Sequence, residues 1–350
     1  MDAMSLCLRR TIGPRTGCST LLSRIFKIRT ERTVHYSSGV LGQSTPEQTE
    51  RFVPRRAMMY VPGSDKKKLG KIPSLQVDCA VMDCEDGVAM NRKLEARLNI
   101  SEALDTLDFG QTECAVRINS VNSGFMEEDL RITLMANKLP QALMLPKVET
   151  PEELELFTEK LCTALDDRAL AEKLRLVIFV ESAIGIINLE PVCRRGLELS
   201  KSGPYKLDGV VFGSDDFCAD IGATRSVECT EVMYARQKVV LTAKAFRLQA
   251  IDVVHTDYKD LDSLKRQSIE GARMGYTGKQ VIHPGQISTV QEAFTPSPEK
   301  IEWATELIQA FDGHQKSGRG AFTFRGNMID MPLLLQARNI LELVKVTRGR

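Results

Sequence analysis

How this chain can fold is limited most by residues 174–185, LRLVIFVESAIG. An apolar run without polar alternation reads as a strand buried on both faces. In a water-soluble protein that means a parallel sheet covered by helices. The run closes on a single carboxylate, Glu181, before small residues and a helical pattern begin. Glu181 therefore stands at the C-terminal end of a core strand, where α/β folds carry their chemistry. The next run, 207–213, ends the same way, in Asp215 and Asp216. Carboxylates at the same end of two successive strands suit a hard divalent cation such as Mg²⁺, which combines one or two protein carboxylates with water and substrate oxygens. Asp215 or Asp216 alone reads more readily as a cap on the following helix; Glu181 and Asp216 together read as a metal site.

The alternation recurs from Arg56 onward. AMMYV (57–61) precedes a short Lys-rich helix, CAVMD (79–83) a helix from about Asn91, CAVRI (114–118) one from about Glu127, and ALMLP (142–146) one opening at Thr150 with Pro151 in its first turn. The run at 174–180 precedes a helix around 186–199, and VVFG (210–213) a long helix over about 227–247. AIDVV (250–254) precedes 261–274, and KQVIH (279–283) a short helix over 286–294. Eight strand–helix units in about 240 residues predict a closed (β/α)₈ TIM barrel over 56–295, with an open doubly wound sheet as the second candidate. No GxGxxG follows the first strand, which counts against a dinucleotide-binding version of the open sheet.

The flanks differ in kind. Residues 1–36 carry Arg9, Arg10, Arg15, Arg24, Lys27, Arg29 and Arg32 against Asp2 and Glu31, interleaved with Ser, Thr and Leu. This composition predicts a mitochondrial transit peptide, hence a matrix location, with a disordered basic arm as the alternative. Residues 37–55 read as a polar lead-in. After the barrel, 299–314 reads as an amphipathic helix, 318–332 as a glycine-rich segment ending at Asp330, and 331–345 as a last helix. Residues 296–350 thus form a C-terminal helix and lid extension, able to carry a group over the barrel mouth or simply to dock.

A net charge of +1 excludes a bulk pull toward nucleic acid or anionic membrane. No run approaches the ~18 apolar residues needed to span a bilayer. The nine cysteines show no CxxC pair and no zinc spacing, and read as reduced, mostly buried thiols.

In a barrel, the residues just after each strand share one face. They are Asp83, Glu85 and Asp86 after the second strand, Arg117 and Asn119 after the third, Lys147 and Glu149 after the fourth, Glu181, then Asp215 and Asp216, and His283. A cation with an arginine beside it can hold an α-keto acid, the metal polarising the carbonyl and Arg117 stabilising charge that develops nearby. Asp83, Glu85 and Asp86 read as a network orienting Arg117 from behind, and His283 as a positioning residue. Lys67 and Lys71, one turn apart in the first loop, suit phosphate as point charges.

The motifs PGSDKKKLGK, VMDCEDGV, VRINS, LMLPKVE, FVESAIG, VVFGSDDF, GKQVIHPGQI and FTFRGNMIDMP follow in the order of the citrate lyase β-subunit/malyl-CoA lyase family, which the chain resembles from Pro54 to its C-terminus. The resemblance implies a (β/α)₈ barrel, a homotrimer, Mg²⁺, and cleavage of an acyl-CoA thioester. The implied substrate is citramalyl-CoA, giving acetyl-CoA and pyruvate; malyl-CoA cleavage or thioester hydrolysis, malate synthesis from glyoxylate, and an inactive CoA-binding scaffold are the alternatives. By motif it assigns Glu181 and Asp216 to the metal and Arg117 to the substrate. Tyr60, Lys67, Lys71, Ile282 and His283 go to the acyl-CoA, and Asp330 becomes the acid/base, delivered by the C-terminal segment. SDD stands where relatives often carry Glu-Asp, which leaves Asp216 in place.

Overall fold

A computed structural model describes residues 53–166, 168–316 and 322–348. The expected transit peptide at 1–36 and most of the lead-in lie outside them. Eight parallel strands close into a barrel in sequence order: β1 (Ala57–Pro62), β2 (Cys79–Asp83), β3 (Glu113–Arg117), β4 (Ala142–Leu145), β5 (Leu174–Val180), β6 (Tyr205–Phe212), β7 (Gln249–Asp252) and β8 (Gly278–Val281). Helices cover it: α1 (Lys66–Leu69), α2 (Lys93–Thr106), α3 (Met126–Thr133), α4 (Pro151–Leu165), α5 (Ala183–Ser202), α6 (Ser214–Ile221), α7 (Met233–Ala245), α8 (Leu261–Met274) and α9 (Ile287–Ala293). The closed barrel agrees with the sequence expectation, and the open sheet is excluded.

Period-two alternation sorts the strand residues into two buried sets. Met58, Val81, Ala115, Met144, Val177, Phe179, Val211 and Ile251 fill the barrel interior. Their sequence neighbours, such as Ala80, Val116, Leu143, Ile178 and Val210, pack outward against the helices. Both sets are apolar, which is why the strands read as continuous runs. The N-terminal end of the barrel is plugged: Arg55, fully buried, donates to both Glu113 carboxylate oxygens at 2.6 and 2.7 Å and to Asp208 at 2.6 Å. A Cβ on Gly278 would lie 1.8 Å from the Arg55 carbonyl oxygen, so only glycine lets this segment pass beneath β8. Val53–Arg55, assigned from sequence to a polar lead-in, are therefore buried in the barrel floor, because Arg55 spends its charge there rather than in solvent.

At α4, Thr150 accepts from the Glu153 N–H while the Glu153 carboxylate accepts from the Thr150 N–H, with Pro151 in the first turn. The long helix expected over 227–247 instead starts later, running from Met233 to Ala245. Gly222, at φ 69°, ends the short α6, and Cys229, at φ 55°, turns the chain into a 3₁₀ turn before α7 begins at Met233.

The C-terminal extension pairs α10 (Pro298–Lys316) with α11 (Met331–Arg348) around a small core of their own, Ala304, Leu307, Phe322, Ile329 and Ala337. Between them, β9 (Thr323–Phe324) and β10 (Asn327–Met328) form a hairpin. Both turn residues have positive φ, Arg325 at 49° and Gly326 at 81°, the two-residue turn that matches strand twist. Gly326 thus serves a tight turn; Gly318 and Gly320 lie outside the described residues. Of the seven described cysteines, all but Cys162 are buried. No helix among the described residues is long and apolar enough to cross a membrane.

Candidate active site at the carboxyl end of the barrel

A cavity of about 710 Å³ opens at the C-terminal end of the strands. Its lining includes Tyr60, Lys68, Lys71, Asp83, Asp86, Arg117, Glu181, Asp215, Asp216, Gln280, Ile282 and His283, residues far apart in sequence that barrel closure brings together.

Asp83 and Arg117 are ladder partners, each the last residue of its strand. Alternation turns both inward, and the Arg117 Nε and Nη2 groups donate to the two Asp83 oxygens, each at 2.7 Å. Glu85 approaches Nη1 at 2.7 Å, with Asp86 farther off at 3.9 Å. Below the guanidinium lies the Tyr60 ring, 4.8 Å from centroid to Arg117 Cζ, and the Tyr60 hydroxyl donates to Gln280 Oε1 at 2.8 Å. A guanidinium has five N–H donors: two are hydrogen-bonded to Asp83, one of the Nη1 pair faces Glu85 as an ion pair without a hydrogen bond, and two remain for a ligand.

Glu181 immediately follows β5 and is 6% exposed. Its Oε2 accepts the Lys147 backbone N–H at 3.0 Å. Burial, then the carboxylates of Glu85 and Asp216, push its pKa up to about 8. A carboxylate so destabilised as an anion calls for a cation. Six carboxylates (Asp83, Glu85, Asp86, Glu181, Asp215, Asp216) surround the cavity floor, and the positive charges among them are Arg117, Lys147 and Arg225. Space for an ion comes from Gly213, where a Cβ would stand 2.3 Å from Glu181 Oε1. Among the described residues no group of three or more His, Cys, Asp or Glu forms a complete metal cage. Two carboxylates plus substrate and water is the Mg²⁺ pattern, so these residues fit that ion better than zinc or calcium.

Asp215 and Asp216 lie in the first turn of α6, whose N-cap is Gly213 without a side-chain cap, so neither acid serves as the cap. Asp215 instead pairs with Arg225, which also donates to the Val254 carbonyl. That leaves Asp216 as the free acid of the pair at the mouth. Sequence reasoning had no signal for Arg225, which stands in a loop.

The remaining expected residues divide. Ile282 and His283 line the cavity; His283 Nδ1 accepts from the Gly285 N–H at 3.1 Å, and its ring stacks on Tyr258 at 4.6 Å. Lys71 lines it with Lys68, whereas Lys67 does not. α1 is a single turn ending at Leu69, so Lys67 and Lys71 do not share a continuous helical face. Asp330 is exposed, accepts the Leu333 N–H at 3.1 Å at the start of α11, and is absent from the lining of its own chain's cavity.

With this geometry in place, the likenesses to known proteins are specific. Residues 56–284 match the family described as HpcH/HpaI aldolase/citrate lyase. A mouse protein named citramalyl-CoA lyase, mitochondrial, is 59% identical over 346 residues, covering 97% of this chain and 98% of its own. The human protein of the same name is 56% identical, covering 87% and 89%. Among solved structures, CitE of Mycobacterium tuberculosis in complex with magnesium, acetoacetate and coenzyme A is 26% identical with a TM-score of 0.65, covering 83% of this chain and 98% of that one. A citrate lyase from Burkholderia xenovorans, 20% identical with a TM-score of 0.74, covers 86% and 95% and shares the fold.

Proposed function

The chain belongs to the HpcH/HpaI aldolase/citrate lyase family, and on that premise we propose that it is a Mg²⁺-dependent carbon–carbon lyase that cleaves citramalyl-CoA to pyruvate and acetyl-CoA. One observation carries the reading: buried Glu181 at the end of β5 and exposed Asp216 in the first turn of α6 line the same cavity as Arg117, in a chain 59% identical to the mouse enzyme of that name.

Glu181 and Asp216 would hold the metal, which when bound would supply Lewis-acid polarisation of the substrate's hydroxyl and carboxylate. Lys68 and Lys71 meet the phosphates of CoA at the mouth as point charges, and Ile282 and His283 line the thioester path. Tyr60 lines the cavity beside the acyl-CoA path and also lies under the Arg117 guanidinium. In the reaction the hydroxyl gives up its proton to water in the cavity and becomes the keto group of pyruvate. The bond from that carbon to the methylene breaks, and its electron pair passes to the thioester as an acetyl-CoA enolate. The two uncommitted Arg117 N–H groups stabilise that charge, and Asp330 delivers the proton that completes the methyl group. Because Asp330 does not line its own chain's cavity, we assign it to the cavity of a neighbouring copy in a homotrimer. Run in reverse, the same groups join acetyl-CoA to pyruvate or glyoxylate. The basic leader at 1–36 and the mitochondrial relatives support import, with the matrix as destination.

The test is competition between citramalyl-CoA and malyl-CoA, which differ by one methyl group worth ~1–3 kcal/mol in a fitted pocket. A higher kcat/KM for citramalyl-CoA supports the assignment; a higher value for malyl-CoA reassigns the substrate while leaving the chemistry.

A further inference from the structure

Lys147 stands between β4 and the cavity with φ at 56°, a left-handed conformation that a side chain other than glycine rarely adopts. The β4–β5 ladder explains what this turn accomplishes. Ala142 faces Arg175 and Leu145 faces Ile178, and the Arg175 N–H binds the Gln141 carbonyl. Continued without interruption, this pattern would give the Phe179 carbonyl to the Lys147 N–H. The Val148 N–H takes that bond instead, at 3.0 Å. One residue has been inserted, and the Lys147 N–H, released from the ladder, donates to Glu181 Oε2 at 3.0 Å.

The side chain of the same residue reaches the other half of the site. Lys147 Nζ lies 2.9 Å from Glu85 Oε1 and 3.4 Å from Asp86 Oδ1, and Glu85 Oε2 lies 2.7 Å from Arg117 Nη1. A single residue therefore joins the carboxylate on β5 to the guanidinium on β3 by way of the loop after β2.

We propose that Lys147 is a positioning residue with two separable roles: its kinked backbone fixes the Glu181 carboxylate for the metal, and its ammonium, through Glu85, fixes Arg117 for the substrate. The inference deepens the lyase reading and rests on it for the substrate half; the metal half is independent of which substrate is cleaved. Backbone strain at an active site persists only where its surroundings enforce it, and here it redirects one N–H.

The experiment separates the two roles in the full chain. Lys147→Met removes the ammonium without altering backbone preference; Lys147→Gly removes it while favouring positive φ; Lys147→Val opposes positive φ. Metal affinity is read by Mn²⁺ binding in electron paramagnetic resonance, catalysis by kcat and KM for citramalyl-CoA. Residues behind a metal or its ligands typically contribute about 10–100-fold. The expectation is that Met and Gly bind Mn²⁺ within about 3-fold of wild type while kcat falls about 10–100-fold, and that Lys147→Arg recovers part of kcat. Val is expected to weaken Mn²⁺ binding about 10-fold or more. Wild-type kcat in Met overturns the side-chain role. Wild-type Mn²⁺ affinity in Val, or weakened affinity in Gly, overturns the backbone role, and the Gly result decides even if Val does not fold. A wild-type chain inactive on citramalyl-CoA would remove the substrate assignment, yet the Mn²⁺ series would still decide the backbone role.

Discussion

Gly213 and Glu181 face each other across the β5–β6 seam so closely that a methyl group on Gly213 would stand 2.3 Å from Glu181 Oε1. The Gly213 N–H also donates to the Val180 carbonyl at 3.0 Å, which ties it to the residue before that carboxylate. At this position the lack of a side chain, not backbone freedom, is what the site requires.

Gly213→Ala should therefore displace the carboxylate while leaving the barrel intact. We expect Mg²⁺-dependent activity to fall at least 100-fold, with a loss of stability of about 1–3 kcal/mol from overpacking. Isothermal titration with Mg²⁺ beside a urea melt checks both; an Ala variant with wild-type affinity would show that the carboxylate is not held where the structure has it.

Glu181→Ala and Asp216→Ala should each abolish detectable Mg²⁺ binding. Arg117→Lys should retain it while lowering kcat about 100-fold, because an ammonium cannot reproduce the paired donation to Asp83 or face an oxyanion with two further N–H groups. Calorimetry and steady-state kinetics on the three variants separate metal from substrate roles.

Asp330 gives a complementation test. Asp330→Ala and Glu181→Ala should each be inactive alone. If a neighbour's Asp330 serves each cavity, co-refolded mixtures should regain activity in oligomers that unite an intact cavity with an intact Asp330. Mixtures that form oligomers and stay silent would place Asp330 in its own chain's site or outside the chemistry.

Away from the site, Lys279 on β8 is fully buried, 3.7 Å from Asp252, which also binds buried Arg236 at 2.8 Å. Burial lowers the Lys279 pKa to about 8 from 10.5. Its folded value lies below its unfolded one, so between about pH 8 and 10.5 the unfolded chain binds more protons and stability from this group rises with pH. Lys279→Met should flatten that rise, by at most ~1.4 kcal/mol per pH unit, and stabilise the protein at pH 7. Urea midpoints of both proteins at pH 7, 8.5 and 9.5 measure the difference; parallel profiles would contradict it.

What the sequence made legible follows from physics that acts locally. The eight strands could be placed because both faces of each are buried, leaving apolar runs bounded by turn residues, and the acids at their ends could be grouped because barrel closure puts all eight ends on one rim. Arg117 and Asp83 were readable as partners for the same reason. Hidden features depend on backbone geometry that residue type does not announce. Lys147 adopts a glycine-like φ, Cys229 breaks a helical pattern that continues in hydrophobicity, and Lys68 lines the cavity from a helix of only four residues. Arg225 carried no motif, yet it withdraws Asp215 from the carboxylate pair.

The most direct test of the account is pyruvate release from citramalyl-CoA by the purified chain lacking residues 1–36, with Mg²⁺ and after its removal by chelation. The account predicts pyruvate and acetyl-CoA in equal amounts with Mg²⁺, and loss of release on chelation that added Mg²⁺ restores. Release that persists without a divalent cation, or none from protein that still binds Mg²⁺ and CoA, would contradict it.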